Sequence, residues 1–195
     1  MDQDLVTMIG DIIEGKGHRD YGLSAVNQRA HALQAAFLAE QAGCDAATIT
    51  ACLLHDIGHM VHDLGEDPAA KGIDDKHEEL GEAWLARWFG PEVTEPVRLH
   101  VAAKRYLCAA ESDYFSKLSR DSVRSLALQG GPMSEPELAA YRASPYAEAA
   151  TALRRFDEQA KVKDLVTPPV AHFLRYVAAC ETRGPGRAIV RPGHE

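Results

Sequence analysis

Apolar positions recur along this chain at the three- and four-residue intervals of helices and nowhere alternate cleanly as they would in a strand. Leu5, Ile9, Ile12 and Ile13 share one face of a first helix, which the glycines of residues 15–22 end in a loop. A second helix is expected from an N-cap at Ser24 to Gly43, and a third from Asp45 through the run LLHDIGHM, residues 53–60. Residues 75–89 follow, with Leu80, Gly81, Trp84 and Trp88 at helical spacing from His77, and Pro91 opens the helix that carries His100. Ser119 caps another, ended by Gly130-Gly131-Pro132. A capping box from Ser134 to Glu137 opens a short helix, Ser144-Pro145 opens the one holding Asp157, and Pro168-Pro169 precede the last, which ends near Glu181. The pattern predicts an all-α chain folded as one domain over residues 1–182. Residues 183–195, with three glycines and two prolines, read as a C-terminal tail.

Composition narrows what such a bundle does. With 46% apolar and 26% charged residues over 195 positions, the chain can bury a core of ordinary size. The net charge of −8, from 21 basic and 29 acidic residues, argues against nucleic acid or an anionic membrane as partner. No apolar stretch approaches the roughly 20 residues of a membrane span. Cys44, Cys52, Cys108 and Cys180 show no CxxC spacing, and the N-terminus has no signal-peptide pattern, so a reducing cytoplasm is the expected location.

Within the helices lies a spaced set of metal-ligand side chains: His31, the adjacent His55 and Asp56, His77, His100 and Asp157. Any one of them alone would be read as a core residue bonded to a carbonyl. Together they change the reading, because each has apolar neighbours three and four positions away and so points inward. Burying an imidazole beside a carboxylate is costly without a partner, and a metal ion is the common one. Four imidazoles and two carboxylates suffice for two ions, and suit iron, manganese or zinc better than magnesium or calcium. His62 shares a face with His55 but matches no role; His18, His172 and His194 read as surface or tail residues.

A second set surrounds the first. Lys104 lies one turn after His100, Arg154 one turn before Asp157, and His59 one turn after His55, facing the metals. Ser122, Ser125 and Gln129, spaced i, i+3 and i+7, line one helix face with short donors. Two cations at the mouth of a metal site, with hydroxyl and amide donors beside them, suit a phosphoryl or phosphonyl group. On composition alone these polar residues would be solvated surface; their linkage to the ligands favours a site.

The order H…HD…H…H…D resembles the HD-domain superfamily of helical metalloproteins. LLHDIGHM, HVAAKRYL at 100–107 and LALQGGPM at 126–133 are similar to its mixed-valent di-iron organophosphonate oxygenases, over about residues 18 to 180. The resemblance implies an HD-domain helical bundle binding two irons, Fe(II) and Fe(III), on His31, His55, Asp56, His77, His100 and Asp157, with Asp56 bridging and O2 as co-substrate. It places phosphonate binding on His59, Lys104, Ser122, Ser125, Gln129 and Arg154, where Ser125 replaces a threonine and keeps the hydroxyl. Tyr21 falls where a loop tyrosine ligates iron until substrate arrives. Ser24 departs from members that oxidise (R)-2-amino-1-hydroxyethylphosphonate to glycine and phosphate, in which a glutamate three residues after that tyrosine receives the ammonium. The expected substrate is therefore the trimethylated analogue, giving glycine betaine and phosphate. Its quaternary nitrogen needs no acceptor and prefers aromatic faces, for which Tyr21, Tyr106 and Tyr176 are candidates. Two rival readings use the same scaffold: a di-metal phosphohydrolase, against which the AAKRY and QGGPM segments and Tyr21 count, and a ligand sensor, against which the complete ligand set counts.

Overall fold

The computed structural model describes residues 4–18, 26–61 and 75–182. Tyr21, Ser24, His62, His194 and the tail 183–195 lie outside them. The described residues fold into ten α-helices: α1 Leu5–Lys16, α2 Gln28–Gln41, α3 Ala46–Leu54, α4 Ile57–Val61, α5 His77–Leu85, α6 Pro91–Ala110, α7 Arg120–Leu128, α8 Glu135–Arg142, α9 Ala147–Gln159 and α10 Val170–Cys180. They contain no strand; an isolated antiparallel bridge joins Phe89 to Glu181. None of these helices is long and apolar enough to cross a membrane.

The centre of the bundle is α3. Ile49, Ala51, Cys52, Leu53 and Leu54 are all buried, as is Thr50, whose hydroxyl donates to Cys180 Sγ, and the helix is enclosed by α2, α6, α9 and α10. Ile9 and Ile13 of α1, Leu33 and Ala36 of α2, and Phe173 and Val177 of α10 close the core around it. Truncating the fully buried Phe173 would cost about 3–5 kcal/mol and free α10 from that core. A smaller apolar cluster, Leu99, Ala103, Tyr141 and Ala150, joins α6, α8 and α9. Since α3 ends in the interior, whatever follows Leu54 in sequence must be buried as well.

Several helix ends match the sequence reading: Asp45 caps α3, Ser119 caps α7, Ser134 and Glu137 form the capping box of α8, and Gly43 takes a left-handed φ of 72° after α2. Others differ. The cap of α2 is Asn27, whose side chain accepts the Ala30 N–H, three residues after the expected cap at Ser24. Helix α5 begins at His77 rather than Asp75, because Lys76 adopts a left-handed φ of 48° and turns the chain. The expected single helix through LLHDIGHM is broken: α3 stops at Leu54, and α4 starts at Ile57 with the Asp56 carbonyl accepting the His59 N–H.

Candidate metal centre and anion pocket

That break sets His55 and Asp56 side by side in the interior, at the junction of α3 and α4 rather than within a helix. His31 reaches them from the first turn of α2, His77 from the first position of α5, His100 from α6 and Asp157 from α9, and all six residues are buried. Each imidazole is turned the same way. His31 Nδ1 donates to the Ala160 carbonyl at 2.8 Å, His55 Nδ1 to Cys52 O at 2.8 Å and His100 Nδ1 to Val97 O at 2.7 Å. His77 Nδ1 meets Asp75 Oδ1 at 2.9 Å. Since these oxygens only accept, the proton of each neutral ring sits on Nδ1, and the four Nε2 lone pairs converge.

The convergence is close. His31 Nε2 and His55 Nε2 are 3.1 Å apart, as are His77 Nε2 and His100 Nε2. Two lone pairs at that distance repel, so each pair needs a proton or a metal ion between its nitrogens. Asp157 Oδ1 approaches His31 Nε2 at 3.3 Å to complete one group of three ligands, and Asp56, His77 and His100 form the other. Asp56 Oδ1 lies 3.5 Å from His77 Nε2 and 3.6 Å from His100 Nε2, while its Oδ2 lies 3.3 Å from His55 Nε2 and 3.5 Å from His31 Nε2. One carboxylate therefore presents an oxygen to each group. Asp56 Oδ2 and Asp157 Oδ1 are buried and receive no hydrogen bond from the described residues. Unsatisfied carboxylate oxygens, converging imidazoles and the absence of any thiolate from either group fit two cations of the iron, manganese or zinc type.

Charge favours the same occupants. Burial works against ionised Asp56, but the surrounding imidazoles hold its carboxyl well below the usual range. Asp157 is depressed likewise, chiefly by Arg154 and Lys161 acting against burial. Burial and the neighbouring His77 push His100 far down, keeping it a neutral ligand. His77 behaves differently: against burial, its hydrogen bond to Asp75 and the charge of Asp56 raise it to about 9. In the metal-free protein it thus carries a proton that a metal ion must displace.

Four of the candidate anion-binding residues, Lys104, Ser122, Ser125 and Arg154, come together, though not at a mouth: Lys104 is 3% exposed and Arg154 4%. Lys104 Nζ donates to Ser125 Oγ at 2.8 Å, and burial, reinforced by Arg154, pushes its pKa down to about 7. Arg154 Nε donates to the Tyr114 hydroxyl at 3.2 Å and Nη2 to Ser122 Oγ at 3.0 Å, while ion pairs join it to Asp157 and Glu158. Gln129 closes α7, its Oε1 buried and receiving no hydrogen bond from the described residues. His59 directs Nδ1 to Asp75 Oδ2 at 2.8 Å and stacks on His77, ring centroids 4.0 Å apart.

Two aromatic candidates lie elsewhere. Tyr176 donates its hydroxyl to Glu40 at 2.6 Å in the seam between α2 and α10, where His172 also binds Glu40 at 2.8 Å. Tyr106 stacks on Tyr141 in the smaller cluster, its face taken by Arg142. Four contributors escaped the sequence reading. Asp75 orients His77 and His59 together, and Tyr114 holds Arg154. Glu158 and Lys161 lie one turn beyond Arg154 and Asp157, a spacing visible in the sequence that could have found them.

A family model for the HD domain matches residues 29–144, which take in five of the six candidate metal ligands. The chain is 44% identical to a hydroxymethylphosphonate dioxygenase of Gimesia maris over 176 residues, 90% of this chain and 87% of the relative. It is 41% identical to a glycine-betaine-forming [1-hydroxy-2-(trimethylamino)ethyl]phosphonate dioxygenase of Leisingera caerulea, over 89% of this chain and 88% of the relative. An uncharacterised protein, L432, of Acanthamoeba polyphaga mimivirus is 30% identical over 86% of this chain. The chain belongs to the HD-domain family and, within it, to the organophosphonate oxygenases.

Proposed function

We propose that this protein uses two irons and O2 to cleave the C–P bond of a small 1-hydroxyphosphonate, releasing inorganic phosphate and a carboxylate. The observation that carries the reading is Asp56, whose two oxygens face two separate groups of imidazoles. An Fe(II)/Fe(III) pair bound there would supply redox equivalents and Lewis acidity. His31, His55 and Asp157 would hold one iron, His77 and His100 the other, with Asp56 between them.

The chain's own part is binding and orientation. Lys104 and Arg154 neutralise the phosphonate, assisted by Ser122, Ser125 and Gln129, in a pocket where buried charge is worth far more than in water. His59, the remaining contact that the resemblance assigns to the phosphonate, is fixed through Nδ1 by Asp75. By the resemblance Tyr21 would hold an iron position ahead of substrate, and Tyr21→Phe would then remove an iron–phenolate absorption from the oxidised protein.

The substrate we favour is (R)-1-hydroxy-2-(trimethylammonio)ethylphosphonate, converted with one O2 to glycine betaine and phosphate. Its support is Ser24, which offers no carboxylate to a primary ammonium and leaves room for methyl groups. A second reading, hydroxymethylphosphonate, is favoured by the 44% identity to the Gimesia maris protein and needs no ammonium partner. The test is iron-loaded protein assayed with the trimethylated, primary-amine and hydroxymethyl substrates, following O2 uptake and phosphate release together. Equal amounts of O2 consumed and phosphate released, with highest kcat/KM for the trimethylated compound, are expected. Phosphate-ester hydrolysis with zinc or magnesium, and no O2 uptake with iron, would replace the oxygenase by a phosphohydrolase.

A further inference from the structure

Helix α7 carries Ser122, Ser125 and Gln129, three of the proposed phosphonate contacts, yet it is thinly anchored. Of its residues only Ser122 and Leu126 are buried, while Val123 and Leu128 are exposed. A helix this short does not hold itself together in water, so its order must come from tertiary contacts. Besides Leu126, polar side chains reach its serines, Lys104 from α6 and Arg154 and Lys161 from the α9 side, and at its first turn several of these contacts gather on one side chain of α9. Glu158 Oε1 accepts the backbone N–H of Ser119, the cap of α7, at 2.6 Å. Its Oε2 accepts the Ser122 hydroxyl at 2.9 Å and the Lys161 ammonium at 3.1 Å, and pairs with Arg154.

We infer that Glu158 is a positioning residue whose carboxylate latches the first turn of α7 onto α9, setting the Ser122 hydroxyl and the Arg154 guanidinium in one fixed arrangement. Its two oxygens do different work. Oε1 takes an amide that the helix itself leaves without an acceptor, and Oε2 gathers the side chains of both helices. Ser122 has a single hydroxyl hydrogen, and Glu158 receives it, so Ser122 in this arrangement transmits the hold of Glu158. The Lys104 bond to Ser125 ties the next turn of α7 to α6. The link to substrate affinity rests on the proposed placement of the phosphonate against α7; the latch does not.

Hydrogen exchange of the iron-loaded protein without substrate tests the latch, and steady-state kinetics tests its consequence. In Glu158→Ala the amides of Val123 to Gln129 should exchange about tenfold faster, with those of α3 and α6 unchanged and both irons retained. KM for (R)-1-hydroxy-2-(trimethylammonio)ethylphosphonate and for hydroxymethylphosphonate should rise about tenfold, with kcat changed less than about threefold. Glu158→Gln keeps an acceptor for the Ser119 amide but loses the charge, so it should lie between wild type and Glu158→Ala in both measurements; it carries the test if the alanine variant does not fold. Unchanged exchange in α7 would overturn the latch whatever the substrate is. Faster exchange with unchanged KM would leave the latch standing and overturn its link to the anion site, and with it the placement of the phosphonate against α7.

Discussion

Three of the four imidazoles in the candidate metal centre are aimed by backbone carbonyls, at Ala160, Cys52 and Val97, whereas Arg154 in the adjoining candidate anion pocket is held entirely by side chains, those of Tyr114, Ser122, Asp157 and Glu158. Asp157 belongs to both regions. The difference lies in how each responds to damage. A geometry set by the backbone of packed helices is lost when a ligand is lost, because no neighbour can move into its place. A network of side chains holding side chains is cooperative, and its single deletions give graded, non-additive effects.

The sharpest test of that contrast is Asp56→Ala. With neither group left its shared oxygen, the two-metal arrangement should collapse, with oxygenase activity falling to background and iron well short of two per chain in metal analysis. Gly58→Ala should come next. A Cβ there would lie 2.0 Å from His77 O and 2.7 Å from His77 C, so α4 must move away from the start of α5. We expect a stability loss of about 3 kcal/mol, read in thermal unfolding, together with weakened metal binding in the group that contains His77.

Lys104→Met keeps the buried stem and removes the charge and the bond to Ser125. KM for the phosphonate should rise by the equivalent of about 2–4 kcal/mol while the metals stay bound; a wild-type KM would remove Lys104 from the anion pocket. A pH series separates the two regions. His77, raised to about 9 in the metal-free protein, is protonated at pH 7, and a divalent ion must displace that proton. Mn(II) affinity should therefore rise by about tenfold per pH unit from 7 and level off above about 9. A flat profile would mean that His77 is already neutral. The smallest effect is expected for Tyr114→Phe, which removes one hydrogen bond to Arg154 and should raise KM by the equivalent of about 1 kcal/mol without altering metal content.

Much of this was legible beforehand, for identifiable reasons. His31, His77, His100 and Asp157 could be assigned to inward faces because helical period reports the side on which a residue lies. The caps at Asp45, Ser119 and Ser134 were readable because capping is a local interaction. The break after Leu54 was not, since an apolar run is equally consistent with a helix that continues and one that stops inside the core. From local spacing Asp75 shows only as the start of a helix, because its role depends on the left-handed turn at Lys76 that folds its carboxylate back onto two histidines.

The sequence by itself determined an all-helical chain, the inventory of four imidazoles and two carboxylates, and the cations and hydroxyls one turn away from them, since all of these follow from residue identity and short-range spacing. Only the tertiary structure decided that Asp56 faces two groups of ligands at once, that Lys104 and Arg154 are buried, and that Glu158 joins α7 to α9. Those relations join residues from different helices, and their distances are fixed by how α3 packs among its neighbours, which no local spacing encodes.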